Sequence, residues 1–110
     1  MSNGQNHVVA IFNDGKTVAV APGQVVAANG DTVTFRNITQ TSVILVFPDE
    51  KIFKDKTTLN LKVENPELIP EETLTVDAVE LGSYPYTVYR SSSKEFGHAS
   101  IPNIIVYRRD

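Results

Sequence analysis

The sequence predicts an all-β protein, and the character of its apolar segments carries that prediction. Almost every apolar stretch is short and rich in Val, Ile, Thr, Phe and Tyr, the residues that suit a pleated, half-buried surface. Each stretch is bounded by Gly, Pro, Asn or Asp, which favour tight turns. No segment shows the apolar period of an amphipathic helix. Turn signals spaced by roughly eight to twelve residues therefore predict about seven to nine strands in a β-sandwich or small barrel.

Nine segments carry the strand signals. The clearest is Thr32–Asn37, where Val33 and Phe35 lie on one face and polar residues alternate with them. Ser42–Phe47 is apolar on both faces, which is typical of a strand covered on both sides. In order, the predicted strands are His7–Phe12, Thr17–Ala21, Gln24–Ala27, Thr32–Asn37, Ser42–Phe47, Thr57–Val63, Thr73–Val79, Tyr84–Tyr89 and Ile104–Arg108.

Two connections and the N-terminus complete the expected architecture. Asn13-Asp14-Gly15 is a turn signal that predicts a hairpin between the first two strands. The polar stretch Asp49–Lys56 contains Ile52 and Phe53, which we expect to fold back onto the core as a plug. We expect residues 1–6 to be disordered and the whole chain, 1–110, to form a single domain.

Composition excludes several classes of function. The formal charge of −3 gives no reason to expect nucleic-acid binding. The longest apolar run, Val43–Phe47, is too short to insert into a membrane. There are no cysteines, so disulfides, thiolate ligands and a cysteine nucleophile are all excluded. The start is polar and is no signal peptide, so we expect a cytoplasmic protein unless a signal was removed from a periplasmic or secreted one.

Two stretches of the chain resemble the cupredoxin family. Pro22–Asn37, with its Gly-Asp turn and Val-x-Phe-x-Asn strand, resembles the segment that leads to the first histidine copper ligand. Gly82-Ser83-Tyr84-Pro85-Tyr86 resembles the strand that runs into the cysteine ligand. The resemblance spans about Thr17 to Arg108 and implies a cupredoxin-like Greek-key β-sandwich. An immunoglobulin-like sandwich is the alternative, and the Gly-Asp-x-Val-x-Phe-x-Asn order favours the cupredoxin arrangement.

The ligand positions that the resemblance implies do not hold copper ligands. Val43 stands where the first histidine is expected, and Val88 stands where the cysteine is expected. Gly97-His98 is similar to the histidine of the ligand loop, but Pro102 stands at the expected methionine. A blue-copper site needs a thiolate and two imidazoles. We therefore expect no type 1 copper site, no cofactor and no electron-transfer function.

Few side chains offer other chemistry. His98 is the one metal-ligand candidate in the loop between the last two strands, and His7 begins a strand far from it in sequence. Ser91-Ser92-Ser93 with His98 lacks the elbow and carboxylate of a catalytic triad. Adjacent Glu71 and Glu72 would point to opposite faces of a strand and cannot share one bond. We therefore expect no catalytic residues.

Two features indicate a surface for binding. The segment Glu64–Glu80 has six acidic residues and no basic one, and it follows a lysine-rich stretch, so it forms either a docking surface or a solvated face. Tyr84, Tyr86, Tyr89 and Tyr107 form an aromatic group on the last two strands, either in the core or on a binding face. The resemblance implies an apolar contact surface at the ligand-loop end, formed here by Val43, Phe96, His98, Ile101 and Pro102.

We therefore predict a binding module for a protein partner or for further copies of this chain, and no enzyme. A metal-handling protein that uses His98 with carboxylates or His7 is the alternative.

Overall fold

The computed structural model describes residues 4–15, 17–49, 52–53, 56–78, 80–91 and 101–108. The regular structure in these residues is entirely β, which confirms the predicted fold class. None of them belongs to a helix long and apolar enough to cross a membrane. Their ten strands are β1 (Asn6–Asp14), β2 (Thr17–Ala21), β3 (Gln24–Ala28), β4 (Thr32–Asn37), β5 (Val43–Val46), β6 (Thr58–Leu61), β7 (Glu71–Thr75), β8 (Gly82–Pro85), β9 (Thr87–Arg90) and β10 (Asn103–Tyr107).

The strands form three sheets that enclose one core. Their orders are β2-β1-β4-β7, β3-β10-β8 and β6-β5-β9. The predicted hairpin is confirmed, because β1 and β2 pair antiparallel with Asp14 opposite Thr17. Gly15 in this turn has a φ of 65°, a left-handed conformation that favours glycine. β1 also runs parallel to β4, and β3 runs parallel to β10, so each sheet that they belong to is mixed.

One strand prediction was wrong in a way that matters for the topology. The segment predicted as a single strand, Tyr84–Tyr89, is two strands with Tyr86 between them. β8 pairs with β10, whereas β9 pairs with β5 in a different sheet. The chain therefore changes sheets at this point, just after Pro85, whose missing N–H interrupts a ladder.

Other boundaries moved by a few residues. β7 begins at Glu71 and not at Thr73, because Arg36 and Phe35 of β4 still pair with Glu71 and Glu72. β1 begins at Asn6, inside the segment that we expected to be disordered, and the N–H of Gln5 already donates to Asp31 Oδ1 over 2.9 Å.

An aromatic cluster fills the centre of the core. Phe35, Phe47 and Tyr86 lie with ring centroids 5.6–5.7 Å apart, and Phe53 packs on Phe47 at 5.0 Å. Tilted and edge-on contacts at these distances are favourable between aromatic rings. Ile52 and Phe53 are both buried, which confirms that they close the core as a plug.

Tyr84 and Tyr86 are both buried, but their hydroxyl groups differ in hydrogen bonding. Tyr84 Oη donates to the carbonyl of Glu80. Tyr86 Oη is buried without a hydrogen-bond partner in the described part of the chain. Burial raises the pKa of the Tyr86 hydroxyl well above its ordinary value of 10.0, because a phenolate would lose its hydration.

Asp31 organises the end of the sandwich where β4 begins. Its fully buried carboxylate accepts hydrogen bonds from the N–H groups of Gln5 and Ala28, at 2.9 and 3.0 Å. His7 Nε2 lies 2.9 Å from Asp31 Oδ2. The preceding Gly30 has a φ of 94°, and Gly4 lies so close to it that a Cβ on Gly4 would clash with the Gly30 carbonyl oxygen. These contacts fasten the N-terminal segment to the β3–β4 turn.

Replacing each tyrosine by phenylalanine should change stability in opposite directions. Tyr86→Phe removes an unsatisfied buried hydroxyl and keeps the ring, so we expect it to raise the free energy of unfolding by about 1 kcal/mol. Tyr84→Phe removes a hydrogen bond and should lower it by about 1 kcal/mol. Urea unfolding of both variants measures the difference. Equal losses in the two variants would contradict this account of Tyr86.

The pH dependence of the free energy of unfolding tests the account of Tyr86 in a second way. The pKa of Tyr86 is higher in the folded protein than in the unfolded chain. As pH rises above the unfolded pKa, the unfolded chain therefore loses its proton first, and the free energy of unfolding falls. Wild type should therefore lose stability above a pH of about 10, by up to about 1.4 kcal/mol per pH unit from this group, while Tyr86→Phe lacks that loss. The advantage of Tyr86→Phe should widen between pH 9 and 11, and a constant difference would contradict the assignment.

Candidate functional site

Three connections meet at one end of the sandwich, which we call the loop end. They are the β4–β5 connection (38–42), the β6–β7 connection (62–70) and the β9–β10 connection (91–102), of which residues 91, 101 and 102 are described. The register brings them together, because Val43 at the start of β5 lies opposite Leu61 of β6 and Arg90 of β9. This is the end at which the cupredoxin resemblance places the copper ligands.

Asn37, the last residue of β4, holds two of these connections. Its side-chain Nδ2 donates to the carbonyls of Thr41 and Leu61, at 2.7 and 3.1 Å, and its Oδ1 accepts from Thr39 N and Oγ1, at 3.0 and 2.6 Å. Its backbone N–H donates to the carbonyl of Pro70 over 2.9 Å. Asn37 and Thr39 are both buried, so these bonds are shielded from water.

A second set of polar contacts links the β4–β5 connection to β1 and β9. Asn13 Nδ2 donates to the carbonyl of Thr39 over 3.0 Å, and Arg90 Nη2 donates to Asn13 Oδ1 over 2.8 Å. Gln40 adopts a φ of 67°, which turns the chain tightly between Thr39 and β5. The loop end is therefore assembled by hydrogen bonds from four parts of the chain.

Hydrophobic packing occupies the two positions where copper ligands were expected. Val43 and Val88 are both 0% exposed. Leu45 lies opposite Val88 and Arg90 lies opposite Val43, so the two valines are diagonal neighbours on the core-facing side of the β5–β9 pair. Without a cysteine anywhere in the chain, and with these positions filled by buried methyl groups, the residues do not fit a type 1 copper ion.

The remaining residues of the predicted contact surface divide into three groups. Ile101 is 64% exposed. Pro102 is buried, and its carbonyl accepts the N–H of Tyr86 over 3.0 Å. Phe96 and His98 lie outside the described residues. Because Val43 is also buried, Ile101 alone of the described members presents its side chain to solvent, and the full surface stays a prediction.

The other candidates for chemistry are dispersed. His7 lies opposite Val33 near the start of β4, at the end of the sandwich away from the loop end. Among the described residues, no three His, Cys, Asp or Glu side chains are close enough to hold a metal ion. Of the three serines, Ser91 is described, and its N–H donates to the carbonyl of Ser42 over 3.0 Å. Ser92 and Ser93 lie outside the described residues.

The loop end carries an apolar surface that the sequence reasoning missed. Ile38, Leu68 and Ile69 are 48%, 67% and 49% exposed, and we call these three residues the end patch. They line a cleft of about 240 Å³ together with Asn37 and the residues Gln40, Val63, Pro66 and Pro70. Leu68-Ile69 is an adjacent apolar pair between two prolines in an acidic loop, a signal that could have identified it.

The acidic residues near the end patch are not all neutralised. Glu71 pairs with Arg36 at 3.2 Å, and Glu72 pairs with Lys56 at 3.7 Å, in keeping with their predicted opposite directions. Glu64 and Glu67 are exposed and have no ion pair within the described residues. A second cleft, of about 320 Å³, joins Glu64 to Leu68 and Ile69. Lys62 lines this second cleft as well, so the end patch is bordered by charges of both signs, and Glu64 and Glu67 have no ion pair among the described residues.

Solved structures that resemble this chain identify the fold. The purple cupredoxin from Nitrosopumilus maritimus aligns with a TM-score of 0.60 and 18% identity, over 92% of this chain and 99% of that one. A point mutant of amicyanin in the reduced Cu(I) form at pH 4 aligns with a TM-score of 0.55 and 20% identity, over 97% of this chain and 86% of that one. The cysteine protease inhibitor EhICP2 from Entamoeba histolytica aligns with a TM-score of 0.52 and 8% identity, over 97% and 100%.

These similarities establish a cupredoxin-like β-sandwich. No protein-family model and no curated protein matches the chain. The predicted resemblance to cupredoxins is confirmed at the level of the fold, and the chain lacks the cysteine that a type 1 copper site requires.

The side-chain hydrogen bonds of the buried Asn37 should contribute far more to the free energy of unfolding than those of the exposed Asn13 at the same end. Asn37→Ala removes four side-chain hydrogen bonds and leaves the buried carbonyl of Leu61 and the N–H of Thr39 without this partner, so we expect the free energy of unfolding to fall by about 2–4 kcal/mol. Asn13→Ala is the matched control, because this exposed amide can be replaced by water, and it should cost less than about 1 kcal/mol. Urea unfolding measures both, and equal losses would contradict the role given to Asn37.

Proposed function

We propose that this protein is a binding module that holds a protein partner at the loop end, and that it is not an electron carrier. One observation carries the proposal: three large apolar side chains are about half exposed or more on one cleft, near Glu64 and Glu67, which have no ion pair in the described part of the chain. Contiguous apolar surface on a soluble domain marks an interaction site when polar residues surround it. Scattered single exposed residues would carry no such meaning.

The rim of the end patch indicates the chemistry of the partner. Glu64 and Glu67 attract positive charge, and Leu68, Ile69 and Ile38 gain free energy when they are covered by apolar side chains. We infer a partner segment that presents a large apolar side chain flanked by Lys or Arg. The apolar contact would supply most of the affinity, while the charges would increase the association rate and exclude acidic partners.

The end patch lies at the end of the sandwich where the family resemblance implies a contact surface, and none of its three residues belongs to the surface predicted from that resemblance. Ile101 is exposed in the β9–β10 connection, and Phe96 and His98 belong to that same connection. The structural neighbours include copper proteins and a protease inhibitor, and at these identities they support the fold and not a shared partner. Metal handling through His98 is the competing proposal, and it rests on that side chain alone.

Selection from a displayed library of random twelve-residue peptides tests the proposal. We expect enriched peptides to pair a Leu, Ile, Phe or Trp with neighbouring Lys or Arg, and to bind at micromolar affinity. Leu68→Ser with Ile69→Ser should weaken a synthesised peptide at least tenfold in calorimetry. Raising the salt concentration from about 50 to 300 mM should also weaken it, because the glutamates are exposed and screened.

Leu81→Ser is the matched control, since Leu81 is half exposed but precedes β8 at the opposite end of the sandwich. It should leave peptide binding unchanged. The proposal is wrong if no peptide is enriched, if enriched peptides are acidic, or if Leu81→Ser weakens binding as much as the change at the end patch.

A further inference from the structure

The sheet of β3, β10 and β8 is uncharged. None of its strand residues is Asp, Glu, Lys or Arg, although 21% of the chain is charged. Val25, Ile104 and Val106 point into the core and are buried. Between them, Val26, Ile105 and Tyr107 point outward, with Val26 50% exposed and Tyr107 partly exposed. Val26 and Ile105 are direct neighbours in the register, so their side chains form one apolar strip on the outer face.

β3 also leaves one of its backbone edges open. It is the terminal strand of its sheet, next to β10 alone. Asn103 N donates to the carbonyl of Gly23 over 3.0 Å, so the odd-numbered positions of β3 direct their backbone groups toward β10. The groups of Gln24 and Val26 therefore point away from the sheet. At Ala28 the outward N–H and carbonyl are already taken by Asp31.

The other outer strands carry the features by which proteins block unwanted pairing. β7 has Glu71 and Glu72, β8 has Pro85, and β6 is bracketed by Lys56 and Lys62. β2 contacts β9 and is flanked directly by Lys16 and Pro22. Among the described terminal strands of the three sheets, β3 alone has no charged residue and no proline within it or directly next to it.

We infer that β3 is the contact between two copies of this chain. A twofold interface places the same surface on both sides, so any charge would face its own copy. The end patch, with Glu64 and Glu67, would repel itself in this way, whereas the β3 edge and the Val26–Ile105 strip carry no charge at all. An uncharged strand edge is complementary to itself through its backbone donors and acceptors.

The geometry of the pair follows from the open positions. Antiparallel pairing about a twofold axis at Val25 places Gln24 of one copy opposite Val26 of the other, and the outward N–H and carbonyl groups of both residues exchange hydrogen bonds. The two three-stranded sheets become one continuous six-stranded sheet. On the outer face, Val26 of each copy then lies opposite Gln24 and diagonal to Val26 of the other copy, so the two Val26–Ile105 pairs approach each other diagonally across the junction.

Sedimentation of the full chain over a range of concentrations tests the inference. We expect a reversible dimer, and Val26→Lys should raise its dissociation constant at least tenfold because it places two like charges at the junction. Val8→Lys is the matched control: Val8 is an exposed valine (48%) on β1, which pairs with β4 in a different sheet from β3. That change should leave the dissociation constant unaltered. Circular dichroism of both variants checks that each is folded.

A protein that stays monomeric up to about millimolar concentration would overturn the inference. So would a dimer that Val26→Lys leaves intact, or one that Val8→Lys weakens equally. Peptide binding at the end patch is measured separately and does not depend on this outcome, because the two surfaces share no residue.

Discussion

The hydrogen bonds of Asn37 are the constraint on which the loop end depends. A single buried amide satisfies the carbonyls of Thr41 and Leu61 and accepts from Thr39, while the same residue's N–H holds Pro70. Removing any of these partners would leave a polar group unpaired away from water, which costs more than the bond itself contributes. Ile38 and the Leu68-Ile69 pair are the neighbours of Asn37 and Pro70 in the chain, so these bonds set the shape of the end patch.

The fold resembles that of copper proteins, but buried valines occupy the positions where the resemblance places two of their ligands. Val43 and Val88 add methyl groups to the core where a blue-copper site would need an imidazole and a thiolate. A buried valine contributes stability through the apolar surface that it removes from water, and it requires no metal for that. The fold therefore identifies the class of scaffold, while the function must be argued from the surfaces that remain.

Most of the core could be predicted from the sequence, because alternation in a strand fixes which side chains face inward. Val33 and Phe35 were placed correctly for this reason, and the plug at Ile52 and Phe53 was found because apolar residues in a polar loop are expected to be buried. The break at Tyr86 could not be found in the same way, since its alternation continues through a change of sheet.

The candidate site was less predictable, because exposure depends on contacts between distant segments. Val43 was expected at the contact surface because the cupredoxin resemblance places it at the ligand-loop end, yet it is buried between β6 and β9. Ile38 directly follows β4 and continues the outward face of Arg36, and it is 48% exposed. Its meeting with Leu68 and Ile69 on one cleft depends on contacts between distant segments and does not follow from local pattern.

A calorimetric titration with Cu(II) at neutral pH, beside the His98→Ala variant, tests the central claim most directly. The account predicts no stoichiometric tight binding, or weak binding that the substitution leaves unchanged, because no thiolate is present and the two ligand positions are buried valines. Tight one-to-one binding that is lost in His98→Ala would contradict it and would make the protein a metal-handling cupredoxin fold.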